Sequence, residues 1–140
     1  MDRLHFTIEI SATKEKVWNT LWEDESYRKW TSVFMQGSYA ETDWKEGSEV
    51  LFLTEDGSGI QSLVDKNIPC EHMVFRHICE LKKREPVGET WDNIREEYVL
   101  IPTAEGIHLE VTHDVTAGMG KYLLNTMPKA MEVLKALCEQ

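Results

Sequence analysis

The stretch "WDNIREEYVLIPTAEGIHLEVTHDV" (residues 91–115) decides the fold. Ile107, Leu109, Val111, His113 and Val115 alternate with His108, Glu110, Thr112 and Asp114. A period of two marks a strand with one buried face. The preceding segment, 91–101, sorts the same way, with Ile94, Glu96, Tyr98 and Leu100 against Arg95, Glu97, Val99 and Ile101. Arg95 and Glu97 make the natural solvent face, so Glu96 is a carboxylate on a core face. The turn "TAEG" at 103–106 is short enough for an antiparallel hairpin.

Outward from this hairpin the chain repeats the theme. Leu4, Phe6, Ile8 and Ile10 alternate with polar residues in a first strand. Ser11 or Thr13 can cap a helix carrying Val17, Trp18 and Leu21, and Asp24 can cap a shorter one holding Tyr27 and Trp30. Further strands are predicted near 38–44, 48–54, 60–67 and 72–82, separated by turn signals. "TAGMGK" reads as a loop. "NTMPKAMEVLKALCEQ" reads as a helix capped by Thr126, with Pro128 in its first turn and Met127, Met131, Leu134, Leu137 and Cys138 along one stripe. The order is α+β: strand, two short helices, six strands, long helix. A sheet with one apolar face needs a cover, and the last helix carries the longest apolar stripe. A curved antiparallel sheet of about seven strands gripping that helix is the economical solution.

Composition narrows the partners. The 140 residues suit a single domain over 1–140. The net charge of -10 repels phosphate backbones, so neither nucleic acid nor an anionic membrane is expected as a partner. No apolar run approaches the ~20 residues of a membrane span, and the amino terminus lacks signal-peptide features. Cys70, Cys79 and Cys138 are odd in number and lack a CxxC spacing, which fits free thiols in a reducing cytoplasm. A monomer or a homodimer paired along a strand edge is expected.

Several local signatures stand in order along the chain: Val17, Trp18, Leu21 and Trp30 in "VWNTLWEDESYRKW", Gly47 and Ser48 in "DWKEGSEV", then "IPCEHMVF", "YVLIPTAEGIHLEVT" and "MPKAMEVLKAL". Together they resemble the SRPBCC superfamily, also called START-like or helix-grip, and are similar to its branch named for the activator of the heat-shock chaperone ATPase, with Met127 at a position where that family commonly has Trp. The resemblance implies the helix-grip fold and a cavity between sheet and last helix, typically holding something apolar. It does not choose among the functions this scaffold hosts.

Residues expected at such a cavity follow from face and place. Tyr98 shares the face of Glu96, and Met73, Phe75, His77, Cys79 and Leu81 form the corresponding set on the strand 72–82. Pairing Pro102 with Ile107 sets Glu96 opposite His113. Closing the loop 83–90 as a hairpin sets Phe75 opposite Tyr98, Cys79 opposite Ile94 and His77 opposite Glu96. A row His77–Glu96–His113 results, with opposed Cβ atoms ~4.5–5.5 Å apart. Such a row serves as a satisfied buried network, as the polar spot of a ligand pocket, or as an acid/base pair. A His₂Glu metal set lacks a short-range ligand motif, so no metal or other cofactor is expected. Trp30, Phe34 and Tyr39 lie near the helix–sheet junction, where the resemblance implies that the cavity opens, and read equally as rim contacts or as packing; Met127 and Met131 read as gap-filling core whose flexibility also suits a yielding ligand wall. Trp18 and Trp22 read as packing, and Cys79 as an inert buried thiol. No nucleophile elbow or phosphate loop is present.

The function expected is therefore binding of an apolar or amphipathic small molecule. The alternatives are a stress-related or co-chaperone-like interaction module with a filled interior, and a cyclase- or hydrolase-like enzyme using the His/Glu/His row.

Overall fold

A computed structural model describes residues 2–116 and 119–140. Its elements run β1 (Asp2–Ile10), α1 (Lys14–Trp22), α2 (Asp24–Thr31), β2 (Tyr39–Glu41), β3 (Glu49–Leu53), β4 (Gly59–Ile68), β5 (His72–Lys82), β6 (Glu85–Val87), β7 (Ile94–Thr103), β8 (Gly106–Val115) and α3 (Gly120–Cys138). All strands join one antiparallel sheet in the order β1-β8-β7-β5-β4-β3-β2, with β6 on β5. The helix α3 packs on β1, α1 and α2. One apolar core joins inward residues of the sheet, among them Phe75, Tyr98, Leu109 and Val111, to Met127, Met131 and Leu134 of α3. This is the α+β architecture, a curved antiparallel sheet gripping the last helix, that the strand alternation and the apolar stripe of the last helix predict and that the resemblance implies.

The β7–β8 hairpin keeps the expected register, with Pro102 opposite Ile107, Tyr98 opposite Val111 and Glu96 opposite His113. The β5–β7 register does not. Phe75 pairs with Glu96, His77 with Ile94 and Met73 with Tyr98, a shift of two residues. The cause is β6, an eighth strand the alternation does not reveal. Lys82 and Glu85 pair, so the chain turns back on β5 immediately, and β7 joins β5 only from His77 downward. A two-residue shift keeps every side chain on its face.

The helices also depart from expectation in detail. Thr13 caps α1, accepting from the Lys16 N–H at 3.1 Å. Asp24 is not a cap. It is the first residue of α2 and instead accepts from the Arg28 guanidinium at 3.0 Å. The last helix begins at Gly120, so Pro128 sits inside it and Thr126 is no cap but donates to the Tyr122 carbonyl at 2.7 Å. Leu123 explains the longer helix: it adds one more buried position to the stripe of Met127, Met131, Leu134 and Cys138. The N–H that Pro128 lacks would have gone to Leu124, an exposed residue, so the broken bond falls on the solvent side. The loop read at "TAGMGK" falls partly on Ala117 and Gly118, which lie outside the described residues, and Gly120 and Lys121 are helical.

Candidate functional site

Four adjacent strands each place one polar residue on the inward face. They are Ser62 on β4, His77 on β5, Glu96 on β7 and His113 on β8. Ser62, His77 and His113 are buried, and the Glu96 side chain is 16% exposed. His77 and Glu96 are diagonal rather than opposed, yet their longer side chains meet, with Nε2 to Oε1 at 3.0 Å. His113 Nε2 approaches the same oxygen to 3.2 Å. The two imidazoles lie nearly parallel, with centroids 5.5 Å apart. The Tyr98 hydroxyl donates to the other carboxylate oxygen, Oε2.

The distal ring nitrogens fix the protons. His113 Nδ1 lies 2.8 Å from the Asp114 carbonyl, which can only accept, so that nitrogen carries hydrogen. A neutral His113 would then turn a lone pair toward the Glu96 carboxylate. A protonated ring resolves the clash and makes an ion pair. Burial alone would lower the pKa of His113, but the charge and hydrogen bond of Glu96 outweigh it, so the pKa is raised. Burial alone would raise that of Glu96, but His113 and His77 together outweigh it and hold the carboxyl well below its ordinary range. His77 Nδ1 meets the Ser62 hydroxyl at 2.6 Å, a group able to donate or accept. Burial, and then the Glu96 charge, push the Tyr98 phenol well above its ordinary range, so it stays a donor.

His77, Glu96, Tyr98 and His113 form one wall of a cavity of about 180 Å³. The other walls are apolar: Tyr27, Trp30 and Phe34 from the α2 side, Phe52 and Ile60 from the sheet, and Met119, Leu123 and Met127 from the start of α3. Thr31, Ser38 and the half-exposed Tyr122 complete the lining. Trp30 is held there by its indole N–H, which donates to the Leu21 carbonyl at 3.1 Å.

Of the residues named from sequence, Trp30, Phe34, His77, Glu96, Tyr98, His113 and Met127 line this cavity. Three do not. Phe75 points into the filled half of the interior, where Trp22 packs edge-on against it at 5.4 Å and Trp44 lies 5.9 Å away. Met131 is buried deeper along α3, one turn past Met127. Tyr39 sits on β2 with the separate Leu53–Cys79–Leu81 cluster, under the Arg28 guanidinium at 4.7 Å. Cys79 is buried, but it meets Gln61 across β4 rather than Ile94.

Among the residues that sequence reasoning missed are Ser62, behind His77, and Leu123 and Tyr122 in the lining. Ser62 carried a signal, a hydroxyl between Ile60 and Val64 on an inward face. Leu123 and Tyr122 were hidden by placing the helix start too late.

Residues 11–138 match the sequence model of a family described as activator of Hsp90 ATPase homolog 1-like protein. The chain belongs to this family. Its fold is shared by several solved structures at low identity. The Aha1 dimer from Colwellia psychrerythraea superposes with a TM-score of 0.77 at 19% identity, over 99% of this chain and 97% of that one. Protein MLL2253 from Mesorhizobium loti gives 0.72 at 17% identity, over 97% and 96% of the two chains. ChR145 from Cytophaga hutchinsonii gives 0.71 at 20% identity, over 99% and 94%. No curated protein matches the sequence. Among the described residues no helix is long and apolar enough to cross a membrane.

Proposed function

We propose that this chain binds a small, mostly apolar molecule carrying one polar group, with the apolar part against Trp30, Phe34 and Met127 and the polar group on the Glu96–His113–His77 wall. The observation that carries the reading is the cavity itself: apolar on most sides, polar on one, and lined at its outer end by the half-exposed Tyr122. Binding pockets combine apolar walls with a few placed polar groups in this way.

Its volume selects the ligand class. An apolar cavity of ~150 Å³ holds benzene, so about 180 Å³ suits a compound of one ring or a short branched chain. A whole phospholipid or sterol would not be enclosed. The polar wall offers both an acceptor, Glu96, and a cationic donor, His113, which suits a hydroxyl, carbonyl or carboxyl group. A partly open interior favours binding over an interaction module with a filled core.

The test is ligand-observed and protein-observed NMR with monocyclic phenols, alcohols and carboxylic acids, alongside native mass spectrometry of freshly purified protein. Binding should move resonances of Trp30, Tyr98 and Met127 and should vanish in a Leu123→Trp variant, which fills the cavity from α3. If no panel member perturbs those residues and no small molecule co-purifies, the proposal fails.

A further inference from the structure

We propose that His77 Nε2, His113 Nε2 and Glu96 Oε1 together bind one divalent transition-metal ion of the zinc class, with its remaining coordination positions open to the cavity. The inference goes beyond small-molecule binding, because the ion needs no organic ligand to be held.

Geometry is the first support. The three donor atoms lie within 4.8 Å of one another, and both imidazole nitrogens converge on one oxygen, at 3.0 and 3.2 Å. Two donors on a tetrahedral ion at ~2.0–2.1 Å stand roughly 3.3 Å apart. Each imidazole–carboxylate pair needs to open by only a few tenths of an ångström. They come from three neighbouring strands, so the sheet fixes their spacing.

The supporting shell is the second. Metal-binding histidines have their far nitrogen anchored, which fixes the tautomer and aims the lone pair. Both rings here are anchored, by different partners. The Asp114 carbonyl holds the hydrogen of His113 on Nδ1, so the neutral ring offers Nε2. The Ser62 hydroxyl meets Nδ1 of His77 and, by turning from donor to acceptor, frees Nε2 there as well. The Tyr98 hydroxyl occupies Oε2 of Glu96, leaving Oε1 as the single carboxylate ligand.

The donor set then chooses the ion. Two imidazoles and one carboxylate suit zinc and its transition-metal neighbours. Calcium and magnesium ask for more oxygen ligands. Two neutral histidines and one carboxylate leave a divalent ion with one positive charge to be met from the cavity side, by hydroxide or by an anionic group. A spacing motif cannot reveal such a site, because its ligands lie on separate strands.

The experiment uses the full chain after chelator treatment. Calorimetry with Zn²⁺ should show a single strong site, and Co²⁺ should give the visible absorption of a low-coordinate nitrogen–oxygen complex. Glu96→Gln and His113→Gln should each abolish both signals. Ser62→Ala should weaken binding by about 10–100-fold, the usual effect of losing an anchoring partner. His108, a half-buried ring between Glu9 and Glu110, is the competing site, and His108→Asn should change nothing. In the unmutated protein, Zn²⁺ must move the ring resonances of His77 and His113, a readout that stands even where a variant fails to fold. No uptake, uptake that survives Glu96→Gln, or shifts confined to His108 and His5 would overturn the proposal.

Discussion

Replacing Glu96 with glutamine keeps the volume and removes the charge. In the parent protein the carboxylate accepts from Tyr98 and His77 and pairs with His113. Glutamine still offers one acceptor and one donor, so Tyr98 and one imidazole remain satisfied. What is lost is the partner of a buried cation. Breaking a buried pair costs ~3–5 kcal/mol, and the residual exposure of Glu96 places this case at about 3 kcal/mol. For a chain of this size that is roughly 10 °C in Tm. The pH dependence carries the sharper test. His113 has a raised folded pKa, so its contribution is complete below its ordinary value of 6.5 and fades as pH rises through the folded value. Glu96 has a lowered folded pKa, so its contribution is present above its ordinary value of 4.5 and fades as pH falls through the folded value. The stability gap between parent and Glu96→Gln should therefore be widest between 4.5 and 6.5 and should narrow well above that window. The assay is urea unfolding of chelator-treated protein across pH, with NMR titration of the His113 ring. In the variant that ring should titrate lower than in the parent, because Glu96 no longer offsets burial and only the hydrogen bond and charge of Asp114 still oppose it. A gap independent of pH, or an unchanged His113 titration, would refute the ion pair.

Two further substitutions test the interior. Trp22 packs against Trp44 and Tyr98 at 5.0 Å each, but its buried indole N–H has no hydrogen-bond partner among the described residues. Trp22→Phe should therefore cost no more than about 1 kcal/mol in chemical denaturation, since relief of an unpaired donor offsets much of the lost packing; a loss near the ~3–5 kcal/mol of a full truncation would contradict this. At the β7–β8 turn, a Cβ on Gly106 would stand 2.1 Å from the Ile10 carbonyl. Gly106→Ala should lower stability by about 2–3 kcal/mol and shift amide resonances of Ile10 and Ser11, and a neutral effect would mean that the end of β1 yields freely.

Much of this was legible in the sequence because a half-buried strand writes its faces as a period of two. Every inward residue read from 107–115 is buried, and so is the inward set of 72–82. Parity survives register errors, which is why the polar group was found although the β5–β7 pairing was wrong by two residues. What the pattern could not carry was β6. Three residues, "EPV", show no periodicity, and only their pairing with β5 makes them a strand. The start of α3 was misread for a different reason. Thr and Pro imitate a helix start, whereas burial of Leu123, a tertiary contact, decides where the helix begins.

One signature recurs in all four strands of the site. Ser62 lies between Ile60 and Val64, His77 between Phe75 and Cys79, Glu96 between Ile94 and Tyr98, and His113 between Val111 and Val115. Each is a polar residue set into an apolar alternation, and the sheet order β4-β5-β7-β8 aligns them into a single row. Stability alone does not account for such a row. Replacing a buried ionic group with well-packed apolar residues is often neutral or stabilising, and the filled half of the same interior, around Trp22, Trp44 and Phe75, shows that this fold can pack itself with aromatics. The row instead occurs where the packing stops and the cavity begins. A charged network placed at the wall of an apolar cavity, on rigid strands and with its far nitrogens anchored, has the arrangement of a preorganised site. The same placement is what lets one oxygen of Glu96 face two imidazoles while the residue lines the cavity.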